Sequence, residues 1–154
     1  EGFLSLGRSY RLKLVDDQQT PLKLVAGRFC LRRDLQPDAK QHFIHWYSTK
    51  AQIYLNEKVQ TLAARMGVEP AGVKIQDLGY RWGSCGRGNR LYFNWKTILL
   101  PREIVEYVVV HELTHLHEPH HTPQFWKRVE RVLPDYERRK GWLAKNGIGV
   151  EGID

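Results

Sequence analysis

Two histidines stand one helical turn apart, at His111 and His115, and a glutamate, Glu112, directly follows the first. On an α-helix, residues i and i+4 share a face, whereas the next residue is turned away by about 100°. Both imidazoles can therefore hold one metal ion while the Glu112 carboxylate reaches a water on it. Two neutral nitrogen ligands with a carboxylate base at this spacing are the arrangement for zinc-assisted hydrolysis. A shuffled chain of this composition yields the bare pattern about 2% of the time, so the surroundings matter. Ile104 and Val108 precede the histidines on the same stripe, and Val105, Val109, Leu113 and Leu116 make a second apolar face. A helix apolar on most sides is buried, and ionisable groups inside one require a partner such as a metal. Two core histidines satisfied by hydrogen bonds are the bland alternative.

A catalytic zinc site commonly has three protein ligands and one open position. His117, six residues past His111, points away from the ligand face of a continuing helix and reads as solvated surface. Pro119 stops the helix, and beyond it the chain can turn back under the metal. His121 then stands ten residues after His111, just before a new helix with Thr122 as N-cap and Pro123 at its first position. His121 is the favoured third ligand, with Glu118 and His120 as competitors. Metzincins share the ten-residue spacing, but they place a glycine where Glu118 stands and a methionine downstream. The only methionine here, Met66, lies upstream.

The chain resembles the YgjP-like metal-dependent hydrolases, small zincin-type proteins related to the minigluzincins and more distantly to SprT-like proteases. The matching blocks are Arg81-Trp82-Gly83-Ser84-Cys85, Leu91-Tyr92-Phe93-Asn94-Trp95, Val108 to Leu116 with His121, Phe125-Trp126, and Leu133-Pro134-Asp135-Tyr136. They span roughly residues 40 to 145 in order. Gly86 and Thr122 stand where such proteins more often carry serine. The resemblance implies His111, His115 and His121 as ligands of one Zn2+ per chain, Glu112 as catalytic base, and a peptide or protein substrate.

These groups need elements to position them. Tyr10 to Val15 alternates like a strand, residues 16–19 turn, and residues 22–25 and 28–32 resume the pattern, which predicts a small antiparallel meander. Pro37 and Asp38 start a long helix that ends near Met66, with Gly67 as its cap and a stripe through Phe43, Tyr47, Ala51, Tyr54, Leu55, Leu62 and Met66. Val73 to Leu78 and Arg90 to Trp95 read as strands around a glycine-rich segment, 79–88, and Pro101 opens the metal helix. The expected fold is α+β and zincin-like: a small, mostly antiparallel sheet packed on a long helix and a buried metal-binding helix. Residues 1–36 form a β-meander within the same domain, 37–146 the catalytic domain, and 147–154 a tail. In zincins an edge strand pairs with extended substrate, here expected near Leu91 to Asn94.

Composition bounds the alternatives. A chain of 154 residues buries about 70% of its unfolded surface without staples. Its two cysteines, Cys30 and Cys85, are too few for a disulfide framework and are expected as free thiols in a reducing cytoplasm. No apolar run is long enough to span a membrane. The formal charge of +7 permits attraction to nucleic acid. The densest basic group, however, Arg128, Arg131, Arg138, Arg139 and Lys140, is interleaved with Glu130, Asp135 and Glu137 and reads as a solvated helix face. Three functions follow: a zinc-dependent peptidase using a Glu112-activated water, a basic nucleic-acid-associated SprT-like protease or DNA-binding module, and a structural zinc protein, which would have no use for a buried base. Cys85 is a further candidate ligand, as a resting-state plug. Arg81, Tyr92 and Tyr136 are candidate oxyanion stabilisers, with no choice among them. Oligomeric state and substrate-binding residues have no sequence signal.

Overall fold

Two tight hairpins open the chain. β1 (Gly2–Ser5) and β2 (Arg8–Val15) pair antiparallel, as do β3 (Leu22–Val25) and β4 (Arg28–Arg32). Each two-residue turn has φ > 0 at both positions, Leu6 and Gly7 in one, Ala26 and Gly27 in the other, the twist that suits a hairpin. The hairpins join through their second strands, β2 running parallel to β4, to give the order β1-β2-β4-β3. The expected meander is therefore corrected. Alternation reveals which side chains face inward, but not which strand lies alongside, and residues 16–21 carry β3 to the far edge. The first hairpin is latched to the segment that leads into the metal helix: the amides of Leu6 and Gly7 donate to the carbonyls of Ile98 and Leu99 at 2.7 and 3.1 Å.

In this computed structural model, which describes residues 2–147, a 3₁₀ turn at Arg33–Asp38 precedes α1 (Ala39–Met66). Gly67 caps α1 in the left-handed region at φ 68°, its amide donating to Ala63. The buried stripe is Phe43, Tyr47, Ala51, Leu55, Val59, Leu62 and Ala63. Tyr54 and Met66, expected on it, are half-buried at its border. A second sheet has the order β5-β7-β6, from β5 (Gly72–Gln76), β6 (Gly83–Cys85) and β7 (Arg90–Asn94). β7 is parallel to β5 and antiparallel to β6. The segment Leu91 to Asn94 is thus the central strand, and the edges are β5 and β6, the latter inside the segment read as a glycine-rich loop.

α2 (Arg102–Thr114) is the central helix, with every residue from Tyr107 onward buried. α3 (Pro123–Val132) and α4 (Tyr136–Asn146) pack against it. One continuous apolar cluster joins Phe29 and Leu31 of the N-terminal sheet, the α1 stripe, Trp82, Leu91 and Phe93 of the second sheet, α2, and Phe125, Val129 and Leu143. The basic group on α3 and α4 is only partly a solvated face. Arg138 binds Glu103 and Asp135, and Arg139, with its side chain 14% exposed, binds Glu106 and Asp135. These pairs tie α4 to α2, and the Arg138 guanidinium holds the carboxyls of Asp135 and Glu103 below the usual carboxylate range. Of the tail, only Gly147 lies within the described residues.

Candidate metal centre

The regular part of α2 ends at Thr114, leaving His115 at its cap with helical torsions. Past this point the amides of His115, Leu116 and His117 bond three residues back, so the last turn tightens before Pro119. The chain then reverses, and Thr122 caps α3 by accepting a hydrogen bond from the Phe125 amide, with Pro123 in the first turn. This reversal carries His121 back over α2. Its Nε2 lies 3.0 Å from His111 Nε2 and 3.1 Å from His115 Nε2, so the three ring nitrogens converge on one point. Substituting Thr122 with alanine removes the cap that anchors the reversal and is expected to cost about 1 kcal/mol, measurable by urea denaturation of the metal-free chain.

The donor set fits a divalent cation. Two nitrogens bound at 2.0–2.1 Å in a tetrahedral site stand roughly 3.4 Å apart, close to the spacings here. His121 Nε2 carries at most one proton, so hydrogen bonding alone can serve only one of its two neighbours, whereas a cation at the centre serves all three. The His115 tautomer fits as well. Its Nδ1 lies 3.1 Å from the Glu118 carbonyl; an N–H donated there leaves Nε2 free to coordinate.

Glu112 is fully buried directly beside His111. It sits against Gly83 of β6, where an added Cβ would come within 2.9 Å of Glu112 Cγ and 3.1 Å of Oε2. The absence of a side chain at Gly83 is what lets the carboxylate pack on the edge strand. One turn before His111, burial, and secondarily the charge of Glu112, push the Tyr107 phenol well above its ordinary pKa. It is therefore neutral at physiological pH.

Aromatic packing braces the histidines. The Phe125 ring centroid lies 4.9, 4.7 and 4.9 Å from those of His111, His115 and His121. Trp126 stacks on His121, Tyr136 on Trp126, and the Lys140 ammonium sits 4.0 Å from the centroid of Trp126. The sequence motifs include Phe125, Trp126 and Tyr136 without assigning this bracing role. A capped helix beginning just after a candidate ligand is the signal that would have found Phe125.

The competing ligands fall elsewhere. The Glu118 carboxylate pairs with Arg128 at 3.2 Å, while His117 and His120 are exposed and outside the convergent set. A cleft of about 470 Å³ opens beside the histidines, lined by Cys85, Gly86, Asn89, His115, His120 and His121 among others. Cys85 is on its wall and not in the convergent set. Of the oxyanion candidates, Arg81 is near Ser84 Oγ at 3.4 Å, Tyr92 packs against Gly86, and the Tyr136 hydroxyl donates to Glu137 at 3.4 Å; none is singled out.

No curated protein matches the chain. Among solved structures, the crystal structure of the metallopeptidase zymogen of Pyrococcus abyssi abylysin is similar, with a TM-score of 0.55 and 20% sequence identity over 59% of this chain and 92% of that one. At this identity the likeness speaks to the fold alone, and it bears out the expected α+β zincin-like architecture. A family model described as YgjP-like, metallopeptidase domain, matches residues 1–146. The chain therefore belongs to the YgjP-like metallopeptidase domain family.

Proposed function

We propose that this chain is a zinc-dependent peptidase in which His111, His115 and His121 hold one Zn2+ and Glu112 is the general base. The convergence of three imidazole nitrogens on one point, beside a buried carboxylate, carries the reading. Neutral imidazole donors in a tetrahedral arrangement favour zinc over the hard cations that prefer oxygen. When bound, Zn2+ supplies Lewis acidity that acidifies a water and polarises a peptide carbonyl. Glu112 takes the proton of the attacking water on its carboxylate and returns it to the leaving amine nitrogen. Gly83 holds Glu112 at the strand edge, and Phe125 with Trp126 keeps the imidazoles in orientation.

The substrate is an extended peptide lying along the outer edge of β6, where Cys85 and Gly86 border the cleft shared with His115 and His121. Residues 1–36 and 37–146 act as one catalytic unit, a reading supported by the shared apolar cluster and by the latch from Leu6 and Gly7 to the segment before α2. Among the described residues no helix is long and apolar enough to cross a membrane.

Cleavage of a quenched fluorescent peptide pool tests the activity. A chelator is expected to abolish cleavage, and one equivalent of Zn2+ per chain to restore it with release of new amino termini. Cleavage indifferent to the chelator would refute the metal-dependent reading.

A further inference from the structure

The outer face of the N-terminal sheet carries charge of one sign. Tyr10, Leu12, Phe29 and Leu31 pack on the core, so Arg11 and Lys13 of β2 and Arg28 and Cys30 of β4, which alternate with them, project from the opposite face. On β3, Lys23 is level with Cys30 and joins this outer face. Arg11, Lys13, Lys23 and Arg28 are all exposed. Arg11 and Arg28 are directly paired across β2 and β4, while Lys13 and Lys23 flank Cys30 in the next row. With strands about 4.8 Å apart and rows about 7 Å apart, the four cations occupy a patch of roughly 10 by 7 Å.

No opposite charge shares the face. The strands β1 to β4 contain no aspartate or glutamate, and the ion pairs among the described residues involve none of the four cations. Asp16 and Asp17 lie beyond the end of β2, and Asp16 and Asp34 are already bound by Arg33 and Arg32. Like charges directly opposite one another on a sheet are destabilising. The arrangement therefore costs the free protein stability, and an anionic partner relieves it.

We propose that this face binds the phosphodiester backbone of a nucleic acid duplex. Such a duplex carries one negative charge per about 1.7 Å of its axis, dense enough to meet all four cations along one surface without a pocket. The contacts are to phosphate alone. The aromatic side chains of these strands, Phe3, Tyr10 and Phe29, pack on one another on the core side, leaving no platform on which unpaired bases could stack. Binding is accordingly independent of base sequence. A lipid surface is the poorer partner, because Val25 is the only large exposed hydrophobic of these strands, too little to enter a headgroup layer. The face shares no residue with the metal centre, so the proposal does not depend on the peptidase reading.

The probe is a labelled DNA duplex of mixed sequence, titrated with the full chain and read by fluorescence anisotropy over a series of salt concentrations. Four phosphate contacts give a slope of about −3 to −4 in log K against log salt. Arg11→Gln with Arg28→Gln is expected to weaken binding roughly tenfold or more at low salt and to reduce the magnitude of the slope by about two. Lys127→Gln with Lys145→Gln removes the same charge from exposed positions off the sheet and is expected to leave the slope unchanged. Both double variants alter exposed side chains only, and far-UV circular dichroism checks that each keeps its fold. Binding of the DNA duplex, of an RNA duplex of the same sequence, or of both bears the proposal out and identifies the source of the phosphates. No binding of either duplex at low salt overturns it, as does a slope that both double variants lower alike, or tighter binding to phosphatidylserine vesicles than to either duplex.

Discussion

Replacing Glu112 with glutamine is expected to lower peptide turnover by roughly 10²–10⁴-fold, the usual contribution of a positioned general base, while leaving metal content unchanged. The side chain is fully buried and its shape is kept by the amide, so packing against Gly83 survives. The convergent ring nitrogens belong to His111, His115 and His121, so the donor set is complete without residue 112. What the amide cannot do is accept and return a proton. Turnover measured per metal-loaded chain separates this loss from any loss of zinc or of fold, and near-wild-type turnover would remove Glu112 from the mechanism.

Gly83→Ala is the second large effect, and it arises from a residue with no side chain at all. The new Cβ would come within 2.9 Å of Glu112 Cγ, closer than carbon atoms tolerate. Gly83 is paired with Phe93 in the sheet, and Glu112 is enclosed by core, so neither partner can swing into solvent. The carboxylate must shift relative to the metal and the cleft, and a displacement near 1 Å costs about 10²-fold in rate. Overpacking adds roughly 1–3 kcal/mol of destabilisation, which does not itself reduce turnover of the molecules that remain folded. A low kcat with wild-type zinc content is the expected pattern. Unchanged kcat in the folded, zinc-loaded variant would contradict the packing of Glu112 on β6.

Much of the site was legible in the sequence, because it is built from local rules. The one-turn spacing of His111 and His115 follows from helix geometry, the reversal to His121 from Pro119 and the Thr122-Pro123 cap, and the end of α1 from Gly67. Tertiary information was hidden. β6 is Gly-Ser-Cys, three residues without strand character, and it is a strand only because β7 lies beside it; the alternation of Leu91 to Asn94 therefore reads as an edge although that strand is central. The parallel pairing of β2 with β4 joins two hairpins that each look complete alone. Arg138 and Arg139 read as solvent-facing until Glu103 and Glu106, more than thirty residues earlier, are brought alongside. The packing of Glu112 on Gly83 links residues on different elements, and no periodicity reports it.

The central claim is that three histidines from two sides of a chain reversal hold one metal ion. Zinc titration of the metal-free protein, wild type beside His121→Ala, tests it most directly. The proposed function predicts one Zn2+ per wild-type chain, and a loss of affinity in the variant greater than the roughly 10–100-fold that follows loss of a supporting group. A wild-type chain that binds no zinc, or a His121→Ala variant that binds it as tightly as wild type, would contradict the account.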